Sequence, residues 1–378
     1  MSRSLVRVSA LALAAATAVA VAACSPPSGE SDSSSSSSGA TDAATATSAA
    51  DFGGMDKLVE AAKKEGTLNV IALPPDWAGY GAIIEAFKTK YGLEVVSDQP
   101  DASSADEIST AQRLKGQSKA PDVFDLGPAV ALANTAMFAP YKVESFDAIP
   151  ERFKDPKGTW VNDYGGIMAV GYDSAKVPEV TSLADLQKPA YRGKVALNGN
   201  PTEAGAAFAG VQMVAIAQGG TPEDPAKGVQ WFADLKKAGN FLPVDPTPAT
   251  IESGQTPVVF DWSYNHVGTA TKLPSWKQFV PENAALASFY VQAVNKDAPH
   301  PAAARLWQEY LFSPDGQNGW LRGGATPVLL DQMTKDGTVD AAAAAKLPKV
   351  TGEPVVPTTE QTDAAKAVLA TTWANAVG

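Results

Sequence analysis

The sequence predicts an α/β protein of two lobes, each a mixed sheet flanked by helices. Three observations carry that expectation. Runs that read as buried strands alternate with runs at helical spacing. The pattern changes after Pro150 and restarts as a second α/β unit. Roughly 325 residues follow a low-complexity start, enough for two lobes of ordinary size.

In chain order, MDKLVEAAKKE (residues 55–65) places Leu58, Ala61 and Ala62 on one helical face and stops at Gly66. The next stretch, NVIALPPDWAGYGAIIEAFKTKY, reads as a buried strand at 69–73, a loop with Asp76, Trp77 and Tyr80, and a helix over 80–91 ended by Gly92. Residues 93–96 form a second strand. SSADE then opens a helix running to about residue 118, with Ser104 and Glu107 at capping-box spacing. PDVFDLGP holds a third strand at 123–126, with another helix after it. Such alternation predicts a parallel sheet whose ligands collect at the carboxyl ends of its strands. Those ends carry Asp76 and Trp77, the loop 100–104, and Asp125 with Gly127.

Beyond Pro150, WVNDYGGIMAVGY (160–172) is a longer apolar and aromatic segment. A strand at 194–197, the turn Asn198-Gly199-Asn200-Pro201 and a helix capped by Thr202 follow. Helices at 226–237 and 249–253 lead to a strand at 257–261 and to Trp262-Ser263-Tyr264. ASFYVQAVN (287–295) alternates as a strand, before helices at 301–312 and 314–321. The resulting division is a first lobe over 51–168 plus 289–378 and a second over 169–288. Residues 167–172 and 289–295 are the crossing strands.

The amino terminus is of another kind. Residues 1–23 carry Arg3 and Arg7, no acid, and an apolar run of mostly Ala, Val and Leu, the layout of a signal peptide. The run is short of the ~20 residues that span a bilayer comfortably. It ends in Val21-Ala22-Ala23-Cys24, which resembles a bacterial lipobox, in which Cys24 would carry diacylglycerol; the alternative is an ordinary secretory site beside a coincidental cysteine. Cys24 is the chain's one cysteine, which favours attachment and excludes disulfides, zinc-thiolate sites and cysteine nucleophiles from the body. Residues 24–50, with six consecutive serines, have no apolar periodicity and read as a flexible lipid-anchored linker. Removing the signal takes the charge from −11 to −13. So acidic a body argues against nucleic-acid binding.

Enzymatic chemistry finds little support. There are two histidines, and no G-x-S-x-G, G-x-x-x-x-G-K-[ST] or H-E-x-x-H motif. A glycosidase pair could be drawn from Asp76, Asp125, Asp163, Glu203 and Asp261, but acids at turns commonly cap helices or face water. No cofactor or metal site is expected. Recognition is the better reading, because acids recur beside aromatics in both lobes, in D-W-x-x-Y and D-W-S-Y. Ring faces with a carboxylate suit an ammonium group. Ser103, Ser104 and Thr202 at helix starts suit an anion instead, or simply cap their helices. The candidate ligand-binding residues are Asp76, Trp77, Tyr80, Ser104, Asp125, Asp163, Thr202, Glu203, Asp261, Trp262 and Tyr264.

Several stretches resemble extracellular solute-binding proteins of bacterial ABC importers, in the branch that includes spermidine/putrescine, thiamine, ferric-iron and phosphonate binders. They are EGTLNVIALPPDWAGYGAIIEAFKTKYGLEV, LADLQKPAYRGKVALNGNPTEAGAAFAGV, PATIESGQTPVVFDWSYN and PHPAAARLWQEYLFSPDGQNGWLRGGATPV. The resemblance implies a periplasmic-binding-protein-like (type II) fold whose lobes close over a small solute and hand it to an ABC permease. It also implies an extracytoplasmic, non-enzymatic and monomeric protein. Polyamine binders place W-x-x-Y after the first strand, matched by Trp77 and Tyr80, and acids in the second lobe. Glu203 falls near one such acid, while Asn200 stands where another is expected. Ferric-iron binders carry adjacent tyrosines, and this chain has no Tyr-Tyr. A polyamine-like cation is the favoured solute and a phosphonate or phosphate ester the alternative; an extracellular carbohydrate-active or phosphate-cleaving enzyme is the rival of another class.

Overall fold

Residues 42–378 are described by the structure, a computed structural model; the signal segment, Cys24 and the serine run lie outside the described residues. Helix α1 (Met55–Glu65) buries Leu58 and Ala62 and stops at Gly66 in the left-handed conformation. Strand β1 (Thr67–Ile71), helix α2 (Tyr80–Tyr91) and strand β2 (Glu94–Asp98) form a unit in which β1 and β2 pair in parallel. Helix α2 turns Tyr80, Ile83 and Phe87 inward, at the three- and four-residue spacing of one face. Helix α3 (Ser104–Leu114), strand β3 (Val123–Leu126), helix α4 (Pro128–Ala133) and the two-residue strand β4 (Phe138–Ala139) follow.

Strand β5 (Val161–Asp173) has all thirteen residues buried, which explains its near-continuous apolar reading. After it come β6 (Val195–Leu197), α5 (Gly205–Ala217), α6 (Ala226–Lys237), α7 (Pro248–Ser253), β7 (Val258–Trp262), α8 (Ser263–Lys272) and β8 (Trp276–Phe279). Strand β9 (Ala287–Asn295) returns the chain to the first half, where α9 (Pro301–Leu311), α10 (Pro314–Arg322), β10 (Thr326–Pro327), α11 (Leu330–Asp336) and α12 (Ala341–Ala344) are built. Helix α13 (Thr359–Ala376) ends the chain. No helix among the described residues is long and apolar enough to cross a membrane.

The main sheet runs β3-β9-β5-β7-β6, and β5 belongs to both halves of it, pairing with β9 through residues 161–167 and with β7 through residues 168–172. The wholly parallel sheet expected for the first unit is therefore not formed. Strand β9 inserts antiparallel between β3 and β5, leaving β1–β2 and β6–β7 as the parallel pairs. The result is a mixed sheet flanked by helices.

Four local expectations need correction. The capping box of α3 is Ser103 with Asp106, one residue earlier than expected, because Glu107 turns inward and is buried. Thr202 caps no helix: α5 begins at Gly205, and the Thr202 hydroxyl and N–H both donate to Asn200 Oδ1. Residues 42–50, assigned to the flexible linker, are docked on the body. The buried Arg305 side chain of α9 donates to the carbonyls of Ala44 and Ala46, each at 2.9 Å, and Ala46 and Ala49 are buried. Finally, α13 packs not with the first lobe but on α6. The Trp373 ring lies 5.7 Å from that of Phe232, and Lys236 Nζ donates to the Val377 carbonyl at 3.0 Å. Ala365, Leu369 and Trp373 form the buried stripe that holds it there. The chain reaches that side through residues 345–358, where Val355 pairs with the backbone of Ala285 and Ala287.

Candidate functional site

A cleft of about 1630 Å³ is lined by the loops after β1, β2 and β6, the first turns of α3, α4 and α5, β7 with α8, β9, and the start of α13. Local sequence places the first of these loops. Ala72 and Ala78 hold positive φ, at 56° and 47°, and Gly79 is left-handed at 82°. A Cβ on Gly79 would come within 3.0 Å of Gly323 Cα in the segment after α10, so the loop is pressed against that backbone. It carries Asp76 and Trp77 into the cleft while Tyr80 turns into the core.

Eight of the eleven candidates line this cleft: Asp76, Trp77, Ser104, Asp125, Thr202, Glu203, Asp261 and Trp262. Asp76 is an exposed rim acid, 3.4 Å from Lys272 Nζ at the end of α8. Ser104 Oγ accepts the Gly127 N–H at 3.0 Å, which ties the start of α3 to the loop after β3. Thr202 and Glu203 are exposed in the loop before α5. Asp261, at the end of β7, accepts from its neighbour's N–H at 2.7 Å and from Asn265 Nδ2 at 3.0 Å. Burial pushes its carboxyl up to about 6, against the opposing hydrogen bonds from Asn198, Trp262 and Asn265.

Tyr80, Asp163 and Tyr264 do not reach the cleft; all three are buried behind it. Tyr80 opens α2 at a position facing the core, and its hydroxyl donates to Asp125 Oδ2 at 2.6 Å. Asp163 lies in the fully buried β5, where Oδ1 accepts the Tyr164 N–H at 2.7 Å. Tyr264 is seated over Gly166 of β5, where an added Cβ would approach its ring to 2.6 Å. Its ring supports Trp77 edge-on from behind, with centroids 5.2 Å apart.

One hydrogen-bonded chain connects the first-half residues. Trp77 Nε1 donates to the Tyr164 hydroxyl at 3.0 Å, and Tyr164 donates to Asp125 Oδ2 at 3.3 Å. Tyr80 donates to that same oxygen, while Gln292 Nε2 donates to the Tyr80 hydroxyl at 3.1 Å. The Tyr164 ring is stacked between Trp320 and Tyr290, at 4.2 and 5.3 Å. Trp77 thus spends its N–H inward, and Asp125 has one oxygen held by two phenols.

Two more buried acids stand beside Asp125, and of these Glu107 also borders the cleft. Glu107 Oε2 accepts the Asp125 N–H at 3.1 Å, and Asp163 lies on β5. Burial pushes Asp125 up to about 7, while the Tyr80, Tyr164 and Gln292 hydrogen bonds pull it down. Glu107 and Asp163 are pushed well above the usual carboxylate range, first by burial and then by the Asp125 charge.

Sequence reasoning passed over Tyr164, Tyr290 and Gln292. The signal for the last two was the two-residue period of β9, which places Tyr290 and Gln292 on one face. No comparable signal marked Tyr164. The histidines serve the structure: His266 accepts from Trp276 Nε1 at 3.3 Å inside the core, and His300 lies 2.9 Å from Asp122 Oδ2, away from the cleft lining. Among the described residues, no group of three or more His, Cys, Asp or Glu could hold a metal ion.

The family model described as bacterial extracellular solute-binding protein matches residues 121–350. No curated protein sequence matches the chain. Among solved structures, the chain is similar to iron-bound HitA from Pseudomonas aeruginosa, with 20% identity and a TM-score of 0.58 over 82% of this chain and 99% of that one. It is also similar to the periplasmic binding protein AfuA from Actinobacillus pleuropneumoniae with fructose-6-phosphate, at 14% identity and TM-score 0.59 over 82% and 97%. A third is a putative spermidine/putrescine ABC transporter protein from Listeria monocytogenes, at 12% identity and TM-score 0.54 over 76% and 93%. These neighbours establish the type II periplasmic-binding-protein fold. With the family match covering more than half its length, the chain belongs to the bacterial extracellular solute-binding proteins, and its part in transport is to bind a solute outside the cytoplasm rather than to transform it.

Proposed function

We propose that the chain captures a small solute bearing an ammonium group in this cleft and delivers it to an ABC permease, held at the membrane by a lipid on Cys24. Two lobes, the first built on β1–β3 with α1–α4 and the second on β6–β8 with α5–α8, close on the solute about β5 and β9. The single observation that carries the choice of solute is the lining. Among the described residues that line it, eight acids stand against Arg152, Lys272 and Lys366, and the rings of Trp77, Trp262 and Tyr290 lie among them. A net-negative cleft raises the local concentration of a cation, and aromatic faces hold it by cation–π attraction. The family and the Listeria neighbour are consistent with this reading, although the HitA and AfuA neighbours hold iron and a sugar phosphate.

The anion alternative is weakened where the sequence placed it. The first turn of α3 is satisfied internally by the Ser103–Asp106 box, and Ser104 Oγ is taken by Gly127. One observation keeps a phosphonate or phosphate ester as the second reading: α5 starts at the cleft without a side-chain cap. A thermal-shift screen against putrescine, spermidine, thiamine, 2-aminoethylphosphonate, fructose-6-phosphate and ferric ion separates the two. A ligand at 100 times its dissociation constant adds about 2.7 kcal/mol. Stabilisation by phosphorylated compounds alone would sink the cation reading. Turnover of a substrate would sink the transport role.

A further inference from the structure

We propose that the Asp125 carboxylate is the counter-ion for one ammonium group of the solute, and that binding there expels a proton from the acids beneath the cleft floor. This rests on the cation reading of the cleft and adds the residue and the proton balance.

The geometry carries the argument. Asp125 is the penultimate residue of β3, lies at the cleft and is 6% exposed. Its Oδ2 already accepts from Tyr80 and Tyr164, whereas its buried Oδ1 has no partner among the described residues. A buried carboxylate oxygen without a donor is costly, so an arriving N–H would relieve that cost. The phenols fix the carboxylate plane before the solute arrives, and Trp77 and Tyr290 stand nearby as cleft-lining rings.

Among the described residues, the groups facing Asp125 include no cation. Tyr80 comes from α2, Glu107 from α3, Asp163 and Tyr164 from β5, Gln292 and Tyr290 from β9, and Tyr264 from α8. Asp163 Oδ2 is likewise buried and unpartnered. Three buried carboxyls without a basic partner cannot all ionise, so protons remain on them in the empty cleft. An ammonium group supplies the missing positive charge. The carboxylic acid then becomes a carboxylate paired with the ammonium, and its proton leaves to water. Near neutral pH, where burial has moved Asp125, up to one proton should leave per solute bound.

The test is calorimetric titration of the full-length chain with putrescine and with spermidine at pH 7, in phosphate and in Tris, whose ionisation enthalpies differ. The expected result is a measured enthalpy that depends on the buffer, corresponding to release of a substantial fraction of one proton, with affinity rising from pH 6 to pH 8. Asp125→Asn, which keeps the shape and one oxygen to accept from both phenols, should bind at least about tenfold more weakly and release no proton. Buffer-independent enthalpy in the parent protein, or unchanged affinity in Asp125→Asn, overturns the Asp125 assignment while the cation reading stands. Failure of both amines to bind the parent protein overturns both. The buffer dependence needs no variant, so the inference stays testable if Asp125→Asn does not fold.

Discussion

Replacing Tyr80 by Phe isolates the contact on which the cleft floor depends. The phenyl ring fills the same buried space, so no cavity forms, and only the hydroxyl is lost. That hydroxyl donates to Asp125 Oδ2 at 2.6 Å and accepts from Gln292 Nε2 at 3.1 Å. A hydrogen bond to a charged group contributes about 1.5–3 kcal/mol, and one between neutral groups about 0.5–1.5 kcal/mol. Because Asp125 changes charge near pH 7, the cost of Tyr80→Phe should itself depend on pH. We expect about 0.5–1.5 kcal/mol at pH 5.5, where the carboxyl is protonated, and about 1.5–3 kcal/mol at pH 8.5, where it is charged. Urea unfolding of both proteins at the two pH values measures this, provided the slopes match. A double-mutant cycle with Asp125→Asn should recover most of the pH 8.5 difference as coupling. Equal losses at both pH values, or a loss at pH 8.5 below about 0.5 kcal/mol, would refute the Tyr80–Asp125 reasoning.

Stability should fall between pH 6.5 and 8.5. Burial raises Asp125 and Glu309 to about 7 and Asp261 to about 6, so their contributions are present below the unfolded value near 4 and lost as pH rises through 6 and 7. His266, lowered to about 4 by burial, contributes above about 6.5 and loses that contribution as pH falls, so it opposes the carboxyls only below this window. A drop of about 1–2 kcal/mol in urea unfolding is expected across the window, and a flat or rising profile would contradict it. Arg305→Met should cost about 1–3 kcal/mol, because the carbonyls of Ala44 and Ala46 lose their donors. It should also open residues 42–50 to limited proteolysis, and resistance equal to the parent's would mean that Arg305 does not hold the segment.

Sequence patterning was most reliable where one element settles its own bounds. Helix α2 begins and ends where its apolar spacing and Gly92 place it, and β3 and β9 match their expected residues. The acid–aromatic pairs, Asp76-Trp77 in the loop after β1 and Asp261-Trp262 in the last residues of β7, were also legible, because strand ends and turn residues are local features. The errors fell where a distant residue decides. Ser103 rather than Ser104 caps α3 because Glu107 is drawn inward, where it meets the Asp125 backbone. Residues 42–50 have no periodicity of their own and are ordered by an arginine more than 250 residues away in sequence.

By itself, the sequence determined that strand and helix alternate, that the body is acidic, and that Trp77 and Asp261-Trp262 stand at strand ends. It could not decide which of Trp77 and Tyr80 meets the solute. They stand only three residues apart in the chain, but their directions depend on what lies opposite. Tertiary structure brings Asp125 from β3 and Tyr164 from β5 to that point, and a buried carboxylate needs donors. Tyr80 is therefore drawn into the core as one of those donors, and Trp77, its N–H taken by Tyr164, lines the cleft.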